Sequence, residues 1–286
     1  MYKREVNNYL ALRQKFSPPH NFANGLKLNK LCCVEDWENA EMKNMLNSLG
    51  YSGFIHRKDW EWSLGLIAMH RFNMLNNNSI VLGVGSGKEK ILFYLANDHV
   101  KHVYATDLYM VNGWTEAPAD FIRNPEKYSE QEYNHQKLTV LNMDGKKLSF
   151  DSDRFDVVFS FSSIEHFGGQ KHSGALESVR EMGRVLKAKG IAIVATEFIL
   201  NNKDHNEYFN ERTIYSDLID KLDNLKLVEP LDLTITEKTA QTVLDFYPDP
   251  LYWNCMSSEY KKSHPHVLIR IRNIVHTSIM LVFKKL

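Results

Sequence analysis

Ser79-Ile80-Val81-Leu82-Gly83-Val84-Gly85-Ser86-Gly87-Lys88-Glu89-Lys90 is the stretch that decides the fold. Apolar, mostly β-branched residues enter it, and glycines alternate through its middle. Ile91, Leu92 and Leu95 then recur at helical spacing. An apolar run that ends in alternating glycines reads as a buried strand feeding a tight turn, with a helix starting near Lys88. Glycine at 83, 85 and 87 lets a ligand lie against the backbone. The first N–H groups of the helix favour an anionic or polar ligand group. A dinucleotide fingerprint would need a third glycine at 88 or 90, and both positions are lysine. The pattern present, G-x-G-x-G, suits a nucleoside without a pyrophosphate.

Further strands follow in order. Val100–Thr106 ends on Asp107, placed to accept hydrogen bonds from ribose hydroxyls. A long irregular segment, 108–137, leads to a third strand over Lys137–Asn142, which ends at Met143-Asp144; Asp144-Gly145 also reads as a plain turn. The fourth strand, Phe155–Phe161, runs into Ser162-Ser163-Ile164-Glu165-His166-Phe167-Gly168-Gly169. A helix over Gly174–Lys189, closed by Gly190, precedes a fifth strand over Ile191–Thr196 that ends at Glu197. A helix over about Glu211–Leu222 is followed by strand-like Lys226–Thr234 and His276–Phe283. Ligands in open α/β sheets bind beyond the carboxyl ends of strands, where Glu165 and His166 stand.

Four of these pieces together resemble the class I S-adenosylmethionine-dependent methyltransferases, of the small-molecule, methyltransferase-11 type. They are Val81–Gly87, Tyr104-Ala105-Thr106-Asp107, Met143-Asp144-Gly145 and Arg154–Ser160, and the likeness covers about residues 60–235. It implies an α/β fold: a Rossmann-like, seven-stranded, mostly parallel sheet with an antiparallel last strand, helices on both faces and an N-terminal helical extension. It implies S-adenosyl-L-methionine as cofactor and S-adenosyl-L-homocysteine as product. By the same likeness Gly83, Gly85, Ser86 and Gly87 underlie the donor, and Asp107 meets its sugar. Asp144 meets the adenine amino group, and Leu108, Met143, Ser160 and Trp62 are further cofactor contacts. Two positions depart from the pattern. The family usually has an acid two residues before Gly85, where this chain has Gly83, and many members have a third glycine where this chain has Glu89.

The totals narrow the function. Balanced charge, 35 basic against 35 acidic residues, gives no global attraction to nucleic acid or an anionic membrane. Cys32, Cys33 and Cys255 have no zinc spacing and read as reduced thiols. No signal-peptide core or membrane-length apolar run appears, so a cytoplasmic location is expected. We expect 1–58 as an N-terminal arm and helical cap; residues 1–30 read as a loose arm with a short helix around Tyr9–Phe16, a frayed terminus or a segment that wraps a partner subunit in a homodimer. Residues 59–286 are expected to form the catalytic domain, with insertions at about 108–137 and 236–270, the second read as a substrate lid, with a surface elaboration or a dimer contact as the competing readings. Within these residues, Glu35–Leu49 reads as one helix and Asp59 as the N-cap of another reaching about Leu75. Trp60, Glu61 and Trp62 on that helix are placed to touch the cofactor, core packing of both tryptophans being the competing reading.

Methyl transfer from a sulfonium needs alignment and exclusion of water. An oxygen acceptor also gains from a base, and His166 is the candidate, with Glu165 orienting it or acting itself. The Ile164-Glu165-His166 run is similar to the E-x-x-E-H sequence of the ubiquinone-biosynthesis O-methyltransferases, which holds a divalent metal. Ser162 replaces the first acid here, so no metal is expected. Trp114, Glu197, His205 and Trp253 are candidate substrate contacts, while His135 and His172 read as solvated loop residues. The acceptor expected is a small molecule: an oxygen of a sugar, a surface-glycan precursor or a secondary metabolite. Nucleic acid is disfavoured, and no Asp/Asn-Pro-Pro-Tyr follows the fourth strand. The competing readings are a catalytically inactive scaffold that keeps the fold, for which Gly83 speaks, and a protein methyltransferase.

Overall fold

A computed structural model describes residues 25–111, 115–246 and 256–286. Trp114, Trp253 and the helix expected over Tyr9–Phe16 lie outside the described residues. The strands are β1 (Lys30–Leu31), β2 (Ile80–Val84), β3 (His102–Asp107), β4 (Leu138–Asn142) and β5 (Phe155–Phe161). They continue with β6 (Leu186–Ile199), β7 (Leu225–Leu227), β8 (Leu244–Phe246), β9 (Ile269–Ile271) and β10 (Ile274–Lys285). Four helices matter for the site: α1 (Ala40–Ser48), α2 (Arg57–Arg71), α3 (Lys90–Tyr94) and α4 (Ser173–Val185).

The sheet runs β4-β3-β2-β5-β6-β10-β9-β8. Strands β2 to β6 pair in parallel, and β10 lies antiparallel to β6. With β7 antiparallel to β10, this is the expected seven-stranded arrangement with a reversed last strand. Three short strands are added to it. Successive parts of β10 pair with β9, β1 and β7, so its outer side is covered in sections. That covering removes an edge that would otherwise offer unpaired backbone groups. The insertion at 236–270 therefore contributes β8 and β9 to the sheet.

Period-two alternation divides the core. Val157, Phe159, Phe161, Ile193 and Ala195 face one side, with Trp60 and Leu64 of α2. Val158, Ala192 and Val194 face the other, with Val179 and Met182 of α4. From the N-terminal cap, Leu26, Leu28, Trp37, Met42, Leu46 and Leu49 belong to the same apolar cluster as α2, and Leu31 and Cys33 to the one on the α4 side. That face also holds a buried ion pair: the Lys30 ammonium rests on Asp36, which also accepts from the Trp60 indole N–H at 2.8 Å.

Local chemistry explains where the elements differ from expectation. Glu35–Leu49 is two helical pieces, because the Asn39 side chain accepts from the Glu41 and Met42 N–H groups and starts α1 afresh. Helix α2 is capped by His56, whose Nδ1 accepts from Lys58 N–H at 3.1 Å, and not by Asp59. It ends at Arg71, short of Leu75, and Asn73 follows with φ 56°. Helix α4 stops at Val185, and β6 begins at once. Gly190 lies inside that strand: a Cβ there would come within 2.8 Å of the Asp156 carbonyl.

Candidate functional site

A crevice of about 650 Å³ opens beyond the carboxyl ends of β2, β3 and β5, within the size range of small-molecule sites. Its floor is the glycine loop from Gly85 to Lys90. Lys58, Asp59 and Trp62 of α2 form one wall, and Glu116, Tyr128, Glu130 and Gln131 another. Phe161, Ser162, Ser163 and His166 complete it. Helix α2 reaches this position because Gly65 lets it press on β5: a Cβ there would lie 2.6 Å from the Phe161 ring.

The glycine loop is held by its neighbours. Gly85 has φ 60° and Gly87 φ 44°, which glycine adopts without strain. A Cβ at Gly85 would lie 2.8 Å from Ser163 Cβ, and one at Gly87 2.5 Å from the Glu116 carbonyl oxygen. Asp107 joins the loop to the end of β3. Its Oδ2 accepts from Gly87 N–H at 2.8 Å, and its Oδ1 accepts from Leu108 N–H at 2.7 Å. Burial raises its pKa against the pull of these two donors. Tyr109 donates its hydroxyl to the Gly87 carbonyl at 2.6 Å. The long segment 115–131 thus forms part of the crevice itself, with Lys88 N–H donating to Glu116 O at 3.0 Å.

A chain of charges runs beneath this crevice. Lys58 Nζ donates to Glu61 at 3.2 Å and to the Phe161 carbonyl at 2.8 Å, and pairs with Glu89. Burial opposes the Lys58 charge, but Glu89 and Glu61 outweigh it and raise its pKa. Burial pushes the Glu89 carboxyl up to about 7, even beside Lys58. Glu61 is fully buried and also accepts the hydroxyls of Ser162, at 2.8 Å, and Ser278. Further in, Arg57 pairs with Glu197, whose other partner is His276 Nδ1 at 2.8 Å. Arg57 and His276 hold the Glu197 carboxyl down at about 2, overcoming burial.

The proposed site residues separate accordingly. Gly85, Ser86, Gly87, Asp107, Trp62 and His166 all line the crevice. Leu108, Met143 and Asp144 stand beside Asp107 at the strand ends, Met143 N–H donating to Asp107 O at 2.9 Å, but do not line it. Asp144 takes the Lys146 N–H at 2.9 Å, as its turn reading anticipated. Gly83 and Ser160 are interior strand positions. A Cβ at Gly83 would lie 2.7 Å from Ser86 Cβ, and Ser160 is fully buried. Trp60 is core, while Trp62 faces the crevice.

The acid and substrate candidates fare differently. Glu165 is 4% exposed and accepts from Thr196 Oγ1 at 2.9 Å, beneath the loop and away from the crevice. Burial and the nearby Glu197 charge push its carboxyl up to about 8. That proton affinity and enclosure do not suit a neutral-pH base. Glu197 is enclosed by its two partners and offers no free oxygen face to a substrate. His205 caps its own loop, its Nδ1 accepting from the Glu207 and Tyr208 N–H groups. His172 is not solvated as expected: it is 4% exposed and bridges Asp217 and the Tyr208 carbonyl, each at 3.1 Å.

Residues 82–194 match the family model described as "Methyltransferase domain". Those residues form a methyltransferase domain, and the sheet order is that of the class I S-adenosylmethionine-dependent fold. No curated protein matches it. Among solved structures it is similar to a "putative sarcosine dimethylglycine methyltransferase" from Galdieria sulphuraria. The two are 12% identical with a TM-score of 0.50, over 86% of this chain and 98% of that one. It is also similar to the YcgJ protein of Bacillus subtilis, at 16% identity and TM-score 0.47, over 77% and 97%. A third is the [4+2]-cyclase SpnF, at 13% identity and TM-score 0.48, over 91% and 99%. Identities of this size speak for the fold and not for the acceptor.

The crevice fits S-adenosylmethionine on its own terms. Gly85 and Gly87 hold the loop at its floor with positive φ, and two buried polar atoms on the walls, Glu89 Oε2 and Trp62 Nε1, have no hydrogen-bond partner. The main contributors that sequence reasoning passed over are Lys58 and Glu89. Lys58 belongs to no motif of the sequence, and Glu89 appeared only as a departure from the glycine pattern. Among the described residues no helix is long and apolar enough to cross a membrane.

Proposed function

We propose that this methyltransferase moves a methyl group from S-adenosylmethionine to an oxygen of a small-molecule acceptor, a sugar, surface-glycan precursor or secondary metabolite, with His166 as the base. One observation carries the reading: His166, its side chain one-third exposed, lines the same crevice as Gly85, Gly87 and Asp107. Bound donor supplies a methyl carbon already activated by the sulfonium charge. Asp107 accepts hydrogen bonds from the ribose, and the Gly85–Gly87 backbone underlies the donor. Leu108, Met143 and Asp144, at the strand ends beside Asp107, lie on the side where the adenine extends past the crevice lining. Walls from α2 and from residues 116–131 exclude water. The His166 imidazole takes the acceptor's proton, with Glu207 3.8 Å from its Nδ1 to orient the ring. The absence of net charge supports a small acceptor over nucleic acid.

The test is transfer of labelled methyl groups to a panel of hydroxylated metabolites. His166→Ala should lower turnover about 100- to 10,000-fold, the usual contribution of general-base catalysis. Unchanged turnover in that variant removes His166 as the base. Methylation of a protein, and of none of the metabolites, would replace the small-molecule reading.

A further inference from the structure

Glu61, Lys58 and Glu89 form a group of two carboxylates and one ammonium at the crevice wall, with a net charge of −1 when all are ionised. The hydrogen bonds within it can be counted. An ammonium has three N–H donors. Those of Lys58 meet Glu61, Glu89 Oε1 and the Phe161 carbonyl. Glu61 spends its other oxygen on the Ser162 and Ser278 hydroxyls. One acceptor is left over. Glu89 Oε2 is buried and makes no hydrogen bond, and the Trp62 indole N–H approaches without completing one. A buried carboxylate oxygen without a donor is costly unless a ligand supplies one. Surplus negative charge and a buried acceptor without a donor at one point call for a cation with N–H groups. At the far end of the crevice each Asp107 oxygen already accepts one backbone N–H and keeps its remaining lone pair for a ribose hydroxyl.

We infer that Glu89 receives the α-ammonium of the donor's amino-acid tail through Oε2, and that Lys58 is the positioning residue that fixes the carboxylate through Oε1. The inference rests on the S-adenosylmethionine reading of the crevice. It also accounts for Gly83. The position where the resemblance led us to expect an acid is filled by Ser86 and by the Phe159 ring, 2.8 Å from a Cβ built there. The chain supplies its acid from the other end of the loop.

Two ligands separate the possibilities. S-adenosylhomocysteine carries the ammonium, and 5′-methylthioadenosine keeps the nucleoside and sulfur but lacks the amino acid. Calorimetric titration of Glu89→Gln should weaken S-adenosylhomocysteine about 10- to 100-fold, the range for a hydrogen bond to a charged group. Binding of 5′-methylthioadenosine should stay within about twofold of wild type, which also shows that the variant is folded. Lys58→Met should weaken the same ligand selectively. Unchanged affinity for both ligands in Glu89→Gln overturns the inference, and so does an equal loss of both, since Glu89 would then be supporting the loop. Wild-type protein that binds neither removes the donor reading, and this inference with it. Wild type that binds both, with Glu89→Gln unaffected, removes only the inference.

Discussion

Replacing Glu165 by glutamine should make the fold less sensitive to alkaline pH. Glu165 lies 4% exposed with one oxygen on Thr196 and the other, Oε1, without a partner. Burial, reinforced by Glu197, moves its carboxyl from 4.5 up to about 8. The folded chain therefore holds this proton more tightly than the unfolded chain. The associated stability is fully present below about pH 4.5 and is lost as pH rises through about 8. A rise from 4.5 to about 8, at about 1.4 kcal/mol per unit, sets a ceiling on the order of 5 kcal/mol. Rearrangement and water entry reduce it, so about 2–5 kcal/mol is expected. Glutamine keeps the Thr196 hydrogen bond and never ionises, so any cost of its amide is the same at every pH. For a chain of this size each kcal/mol moves the melting temperature by about 2–4 °C. Melts at pH 5, 7 and 9 should thus show wild type losing roughly 5–15 °C more than Glu165→Gln between the extremes. Parallel curves for the two proteins would refute the claim that this carboxyl is buried protonated.

Two further substitutions test other parts of the account. Asp36→Asn strands the buried Lys30 ammonium and should cost about 3–5 kcal/mol in urea unfolding, as removal of one partner from a buried pair does; a loss under about 1 kcal/mol would mean that water reaches the pair. Gly85→Ala places a Cβ 2.8 Å from Ser163 at φ 60° and should cost about 1–3 kcal/mol of stability, with loss of donor binding by calorimetry; unchanged binding would show that the loop does not approach the ligand.

The parts legible in sequence were those decided by local chemistry. Phe155–Phe161 was read to its boundaries, because an apolar run flanked by Asp153-Arg154 and Ser162 has no other plausible extent. The ends of β3 and β4 came within two residues or fewer, and Asp107 was placed at the crevice by its strand alone. What remained hidden depended on distant partners. Glu197 looked like a substrate contact because its neighbours Arg57 and His276 stand 140 and 79 residues away in the chain. Glu165 looked catalytic beside His166, but adjacent residues in a short turn diverge, one to the crevice and one to the interior. Strands β8 and β9, three residues each, were too short to show a period and were read as a lid. Lys58 gave no sign, since a lysine in a first helical turn usually faces water.

The claim beneath all of this is that a sulfonium nucleoside lies in the crevice with its sugar on Asp107. Calorimetric titration of wild type and Asp107→Ala with S-adenosylhomocysteine tests it directly. The account predicts saturable one-to-one binding to wild type and a loss of about 10- to 100-fold in the variant. No heat of binding with wild type, or equal affinity in the two proteins, would contradict it.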